Sequence, residues 1–243
     1  MKVLVIPDIH GSTYWKNNYL NNISKVDKCV FLGDYFDSFN GSERGKAAAD
    51  NLRDIISTVD FNKTTLLLGN HDIAYALFAK GDPHVSGHQE GMKQLYNNVL
   101  QDNADKFKIG ITYDEWTFSH AGFTKTWYSI AEKKIPNGFL FGSPVMLANY
   151  LWDNKNVSLL NFSYLGRDPC GDDIVQGPLW VRPASLLVDT YYSKQIVGHT
   201  EVGEGTIAKK NPLILNKNES IVIVTDSAEH NSFFILDTEK EYK

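Results

Sequence analysis

The sequence predicts an α/β fold in which two β-sheets pack face to face. Short apolar runs rich in β-branched residues alternate with helix-periodic segments through the N-terminal part of the chain. This is the β-α-β-α-β order of a parallel sheet with crossover helices. Each of these runs ends in a polar loop, and in open α/β sheets ligands bind at that C-terminal edge. The C-terminal part gives short strands at Thr206 to Ala208, Leu213 to Leu215, Ser220 to Val224 and Ser232 to Leu236, joined by turn-like Asn211-Pro212, Asn216-Lys217-Asn218 and Asp226-Ser227. That spacing predicts an antiparallel meander and a second sheet packed on the first.

Val3 to Ile6 is a continuous apolar run, the pattern of a strand buried on both faces, and it ends in Pro7-Asp8-Ile9-His10-Gly11. Asp8 and His10 stand two apart, so an extended backbone points their side chains the same way. Ser12 or Thr13 caps the helix that follows, with Trp15, Tyr19 and Ile23 as its inner stripe. Cys29 to Leu32 is the second strand and delivers Gly33-Asp34-Tyr35-Phe36-Asp37. Ser42 caps a helix from about Glu43 to Val59, where Ala48, Leu52, Ile55, Ile56 and Val59 fall at helical spacing. Thr64 to Leu68 is the third strand and enters Gly69-Asn70-His71-Asp72. Asp72 begins a helix through Leu77, ended by Gly81-Asp82-Pro83, and Met92, Leu95, Tyr96 and Val99 mark another. His84 and His88, between these helices, read as surface histidines. Phe107 to Tyr113 and Trp116 to Phe118 form a hairpin-like pair whose second strand delivers Ser119-His120.

Residues 123–192 hold twelve of the thirty aromatic residues with several Gly and Pro, and read as an insert or lid within one domain spanning 1–243. A helix is expected near Pro144 to Trp152. The aromatics either pack this region on itself or line a substrate cleft. Lys194 to Val197 is a strand that delivers Gly198-His199-Thr200, and Asp226, after the strand Ile221 to Val224, reads as structural.

The 243 residues are 42% apolar and 22% charged, ordinary values for a chain that buries a sizeable core. The net charge of −5 advertises no polyanionic partner and weighs against nucleic acid. Cys29 sits in a strand pattern as a small core residue, and with Cys170 as the only other cysteine there is no disulfide framework and no structural zinc site. The apolar run at the N-terminus stops at Pro7-Asp8, too short for a signal peptide, and no run reaches membrane-spanning length. A soluble cytoplasmic protein is expected.

Asp8-Ile9-His10, Gly33-Asp34-Tyr35-Phe36-Asp37 and Gly69-Asn70-His71-Asp72 resemble the three N-terminal motifs of calcineurin-like metallophosphoesterases, and Ser119-His120-Ala121-Gly122 and Gly198-His199-Thr200 resemble the two C-terminal histidine motifs. Each motif alone is weak; five in family order across almost the whole chain are specific. The variant is closest to the branch of serine/threonine protein phosphatases and bacterial dinucleoside tetraphosphatases. The resemblance implies two mixed β-sheets face to face, flanked by helices in an α/β/β/α sandwich, with two divalent ions at one end. It implies that Asp8, His10 and Asp34 hold the first ion and that Asp34, Asn70, His120 and His199 hold the second. Carboxylates, imidazoles and one amide oxygen suit manganese above all, with iron or zinc as alternatives. A metal-bridging hydroxide would attack phosphorus in line. His71 is the implied general acid, oriented by Asp37. Arg182, in Trp180-Val181-Arg182-Pro183, stands where the phosphatase branch places a phosphate-binding arginine, with Arg167 as its competitor.

The chain also departs from the pattern. Ser38-Phe39 stands where protein phosphatases carry Arg-Gly, so Arg44 or Arg53 would have to supply that charge, and Asp72 stands where they usually carry Glu. The last motif lacks the second histidine of many phosphodiesterases, which favours the phosphatase branch. The expected function is two-metal hydrolysis of phosphomonoesters, including phosphoserine or phosphothreonine in proteins. The alternative is hydrolysis of dinucleoside polyphosphates or another nucleotide. A non-catalytic binding scaffold ranks last, because every expected position is filled.

Overall fold

The computed structural model describes residues 1–76, 85–135, 140–160, 172–202, 212–226 and 232–242. His84, Arg167, Cys170 and the strand expected over Thr206 to Ala208 lie outside them. Among the described residues ten strands form two five-stranded mixed sheets. In the first, β1 (Lys2–Ile6), β2 (Lys28–Phe31), β3 (Thr64–Leu67) and β4 (Phe107–Lys108) run parallel in that order, and β10 (Phe234–Asp237) adds antiparallel to the free edge of β1. In the second, β5 (Gly110–Tyr113) pairs antiparallel with β6 (Trp116–Ser119), β6 pairs parallel with β7 (Lys194–Val197), β7 parallel with β9 (Ser220–Val224), and β8 (Leu213–Lys217) antiparallel with β9. Among the described residues the expected meander is therefore reduced to the β8–β9 hairpin. Alternation marks a strand but not its partner, and the last strand closes the first sheet instead.

The side-chain period of two explains the layering. Val3, Val5, Val30, Leu32 and Leu67 point between the sheets, where they meet Trp116, Phe118, Ile196 and Ile223. Leu4, Ile6, Cys29, Phe31 and Leu66 point to the other face. There they meet Trp15 and Tyr19 of α1 (Tyr14–Asn22), Leu52 and Ile55 of α2 (Lys46–Thr58), and Tyr96 and Val99 of α4 (Lys93–Gln101). On the outer face of the second sheet, Val197, Val222 and Val224 pack with Leu186 of α7 (Pro183–Asp189).

Several boundaries differ from expectation for local reasons. Thr13 is the N-cap of α1 but makes no side-chain capping bond. Asn40 accepts from the Ser42 N–H in a short 3₁₀ turn, Gly41–Glu43, and Gly45 at φ +59° then starts α2, so Ser42 does not cap that helix. α3 is a single turn, Asn70–Ile73, that begins before Asp72. The segment expected as one strand over Phe107 to Tyr113 is divided at Ile109 between the two sheets. The crossing frees backbone groups, and Asn149 of α6 (Pro144–Asp153) takes them up: its Oδ1 accepts from Ile109 N–H at 2.8 Å and its amide donates to Gly110 O at 3.0 Å. In 123–192, Phe123, Trp127 of α5 (Lys125–Lys133) and Trp152 are buried in the cluster that also contains the helix-facing side of the first sheet. Among the described residues no helix is long and apolar enough to cross a membrane.

Candidate active site

The exits of β1, β2, β3, β6 and β7 converge on one cavity of about 420 Å³, at the sheet edge where α/β proteins bind ligands. Asp8, His10, Asp34, Asn70, His71, Arg182 and His199 line it, His120 lies fully buried beneath, and Asp37 touches it only through His71, so the structure brings all of these residues together. Asp37 is wholly buried behind His71.

Asp34 stands at the centre. Its Oδ2 lies 3.7 Å from His10 Nε2 on one side and 3.4 Å from His120 Nε2 on the other. Around His120 Nε2, Asn70 Oδ1 stands at 2.8 Å and His199 Nδ1 at 3.2 Å. Two groups of three side chains present ligand atoms within 4.8 Å of one another, His10, Asp34 and His71, and Asp8, Asp34 and His120; both share Asp34. The backbone that delivers these groups is unusual. His10, Asp34, Asp37 and His199 all adopt positive φ, between +43° and +61°, a region that costs non-glycine residues about 1–3 kcal/mol and clusters at functional sites. Asp8 and His10 therefore reach one cavity through a left-handed turn at His10, not from an extended segment.

Two glycines make the close approach possible. A Cβ on Gly69 would stand 2.0 Å from Asp34 Oδ1, and one on Gly198 would stand 2.0 Å from Asp8 Oδ1. Asp72 ties the loops together, its carboxylate accepting from the N–H groups of Asp34 (2.8 Å), Tyr35 (2.7 Å) and Gly69 (2.8 Å). The sequence marks Asp72 as a helix start, as the end of the third motif and as a departure from the protein-phosphatase pattern, but not as the carboxylate that gathers these loops. Asp226, read as structural, also lines the cavity.

Electrostatics and unsatisfied atoms match a cation site. Burial, then the charges of Asp226 and Asp34, push the Asp8 carboxyl well above the usual range, and burial with Asp34 does the same to Asp72. Burial would raise Asp34 too, but His120, His71 and His10 outweigh it and hold it low. Asp8 Oδ1 is buried without a hydrogen-bond partner. His120 and His199 are lowered, chiefly by burial and in His199 next by Arg182, which keeps both imidazoles neutral as metal ligation requires. Their other nitrogens are fixed, His120 Nδ1 on Leu32 O at 3.0 Å and His199 Nε2 on Trp180 O at 3.1 Å; His10 Nδ1 is fixed on Phe36 O at 2.9 Å. The donor set fits divalent metal.

His71 Nδ1 donates to Asp37 Oδ2 at 3.0 Å, and the Tyr75 hydroxyl donates to Asp37 Oδ1. Burial alone would lower the His71 pKa, but Asp34 and the bond to Asp37 outweigh it and raise it. Gln89 completes this bracket: its N–H donates to the Tyr75 hydroxyl at 2.7 Å and its amide to Tyr96 at 3.2 Å. Neither Tyr75 nor Gln89 carried a sequence signal. His88 is half-buried and stacked on Tyr75 at 4.6 Å, so it is not an ordinary surface histidine. Arg182 donates through Nη1 to His199 O at 2.8 Å and Thr200 Oγ1 at 3.2 Å. Arg44 instead donates to Gly87 O, and Arg53 pairs with exposed Asp50, so neither lines the cavity in place of the missing motif arginine.

Among solved structures the chain is similar to the cold-active protein-tyrosine phosphatase of a psychrophilic Shewanella species, with 20% identity and a TM-score of 0.57 over 98% of this chain and 75% of that one. A point mutant of a cold-active protein tyrosine phosphatase gives 18% identity and 0.59 over 98% and 75%, and a metallophosphoesterase from Sphaerobacter thermophilus 12% and 0.43 over 98% and 84%. At these identities the likeness to the two tyrosine phosphatase structures is one of fold. No curated protein matches the chain significantly. The family model of the calcineurin-like phosphoesterases matches residues 1–179, across the first three motifs and His120. With that match covering most of its length, and with the convergent ligand groups described above, the chain belongs to the calcineurin-like phosphoesterases, a family of metal-dependent phosphoric ester hydrolases.

Proposed function

We propose that the protein hydrolyses phosphomonoesters at a two-metal centre, with phosphoserine and phosphothreonine in proteins among its substrates. The observation that carries this is the Asp34 carboxylate set between His10 and the His120–Asn70–His199 group, in one cavity with His71 and Arg182. Asp8, His10 and Asp34 would hold one ion and Asp34, Asn70, His120 and His199 the other, a donor set that suits manganese, iron or zinc. Bound divalent ions supply positive charge to the phosphoryl oxygens and lower the pKa of water.

The chain's own residues do the rest. The Arg182 side chain, anchored on His199 O and Thr200, sets a fixed positive charge against the phosphate. Asp37 holds the His71 ring through Nδ1 and stabilises its protonated form, so that Nε2 gives a proton to the leaving oxygen. In the net reaction the oxygen of water bonds to phosphorus, the ester P–O bond breaks with its electron pair on the leaving oxygen, and the proton ends on the alcohol. The absence of a second histidine after Gly198-His199 favours this over phosphodiester hydrolysis.

Two measurements test the assignment. Chelator-stripped protein is titrated with manganese, zinc, iron or magnesium and its melting followed. Binding at a hundredfold excess over Kd adds about 2.7 kcal/mol to stability, a rise that Asp34→Asn should abolish. The same samples are assayed on p-nitrophenyl phosphate, bis-p-nitrophenyl phosphate, a phosphoserine peptide and diadenosine tetraphosphate. Metal-restored monoesterase activity lost in Asp34→Asn is expected. Preference for the diester or the dinucleotide would instead favour nucleotide hydrolysis, and metal binding without turnover of any substrate would reduce the protein to a binding scaffold.

A further inference from the structure

The first ion has the thinner shell of the two. It has three protein ligands, Asp8, His10 and Asp34, against four for the second, because Gly198-His199-Thr200 brings no second histidine. Asp226 has no part in the chemistry above, yet it lines the same cavity and is only 3% exposed. Its place follows from the second sheet. β7 and β9 run parallel with Val197 level with Val224, and Thr225 N–H donates to Val197 O at 2.9 Å. Continuing that register brings Asp226 to the strand exit beside His199, where Val202 N–H donates to Asp226 O at 3.1 Å. Asp8 meets the same exit from the first sheet. Its Oδ2 accepts from His199 N–H at 2.9 Å, and a Cβ on Gly198 would stand 2.0 Å from its Oδ1. The Tyr14 hydroxyl donates to Pro7 O and Asp8 O at 3.1 Å each. Burial, then the charges of Asp226 and Asp8, push that hydroxyl well up, so both carboxylates lie near it. Carboxylates buried in one place need positive charge beside them.

We propose that Asp226 is a positioning residue of the first metal site, a buried carboxylate that accepts hydrogen bonds from the water completing that ion's shell. The proposal rests on the two-metal reading and deepens it. Direct ligation is not the role. Asp226 is in neither of the groups of three whose ligand atoms lie within 4.8 Å of one another, so its oxygens do not converge with those of Asp8 and Asp34 on one point. At one remove it still supplies an acceptor and a negative charge, and groups at that distance orient a metal's ligands and tune its affinity. Without metal the same charge is a liability, because it stands against Asp8 with little water to screen the two. Metal affinity and the stability of the metal-free protein should therefore respond to Asp226 in opposite directions.

The test is calorimetric titration of chelator-stripped protein with manganese, for the parent, Asp226→Asn, His10→Ala and the double variant. The parent should bind two ions. Asp226→Asn keeps the shape and removes the charge; it should weaken one ion by about 10–100-fold and leave the other unchanged. Electron paramagnetic resonance gives a second readout: where the parent shows a coupled manganese pair, Asp226→Asn should show a single uncoupled ion. His10→Ala should keep only the second ion, and adding Asp226→Asn to it should not weaken that ion further. Metal-free Asp226→Asn should melt at or above the parent, which loss of a merely structural carboxylate would not produce. Equal weakening of both ions, or of neither, overturns the proposal and leaves the two-metal reading standing. A further loss in the double variant, or a His10→Ala protein that binds no ion, overturns it too, since the effect would then not belong to one site. A lower melting temperature of the metal-free variant with both ions bound as in the parent would make Asp226 a structural residue. A parent that binds fewer than two ions removes both readings.

Discussion

The two sheets bring their residues to the site by different means. From the first, Asp8, His10, Asp34, Asn70 and His71 arrive on loops that bind one another. His10 and Gly11 N–H groups donate to Asp34 O and Tyr35 O, His71 N–H donates to Asp34 Oδ1 at 3.0 Å, and Asp72 gathers three further N–H groups. From the second, His120 and His199 arrive at the ends of adjacent parallel strands joined by Gly198 N–H to His120 O at 2.8 Å, and Arg182 is laid across them from the start of α7. The first side is a mesh closed by a buried carboxylate; the second is two strand ends and a side chain. Substitutions on the first side should therefore cost folding as well as chemistry, and those on the second chemistry alone.

Asp72→Ala should break the comparison most severely. It leaves three buried N–H groups without an acceptor, at about 1–3 kcal/mol each, so a loss of roughly 4 kcal/mol is expected, or a fall in Tm of about 10 °C. Asp72→Asn, which keeps one acceptor oxygen, should fall less. A Tm within a degree or two of the parent for Asp72→Ala would show that the loops hold themselves without it.

The next effect is chemical. His71→Ala should lower kcat on a phosphoserine peptide by about 10²–10⁴-fold while p-nitrophenyl phosphate, whose leaving group needs little protonation, loses far less. Equal losses on both would argue against a proton donor. Tyr75→Phe removes the hydroxyl that donates to Asp37 and accepts from Gln89, without touching substrate. About a tenfold fall in kcat with KM unchanged is expected, again confined to poor leaving groups. A uniform loss across substrates would mark a merely structural role for the hydroxyl.

Much of this was legible in the sequence, and the residues show why. Asp8, Asp34, Asn70 and His71 each follow a short apolar run, so strand and cargo are local to one another. His120 and His199 were legible for the same reason. What escaped depends on long-range pairing or on side chains that hold others. Nothing local tells β10 to join β1 across the whole chain, or divides the segment before Tyr113 at Ile109 between two sheets. Tyr75 and Gln89 look like any helix-flanking residues until the fold brings them to Asp37.

On the second side, Arg182→Lys keeps the charge but gives up the Nη1 group that anchors the side chain on His199 O and Thr200. A rise in KM of about three- to tenfold is expected, the scale of one ordinary hydrogen bond, with Tm unchanged. A Tm that fell with KM would show that Arg182 also braces the strand ends and would blur the distinction between the two halves.

The smallest effect separates the arginines. The sequence left Arg44 and Arg53 as stand-ins for the phosphate-binding arginine missing beside Asp37. Arg53 lies on the outer face of α2, donating to Asp50 at 2.9 Å in an ion pair open to solvent, where screening leaves little net interaction. Arg53→Ala should leave kcat/KM and Tm within error of the parent. Arg44 reaches the site only through Gly87, whose backbone borders Phe39. Arg44→Ala should spare metal-dependent stabilisation and lower kcat/KM on phosphate monoesters by about two- to threefold, the scale of one hydrogen bond. A larger effect from Arg53 than from Arg44 on any phosphate ester would mean that charge reaches the cavity from α2, and that the mesh of the first sheet binds phosphate as well as metal.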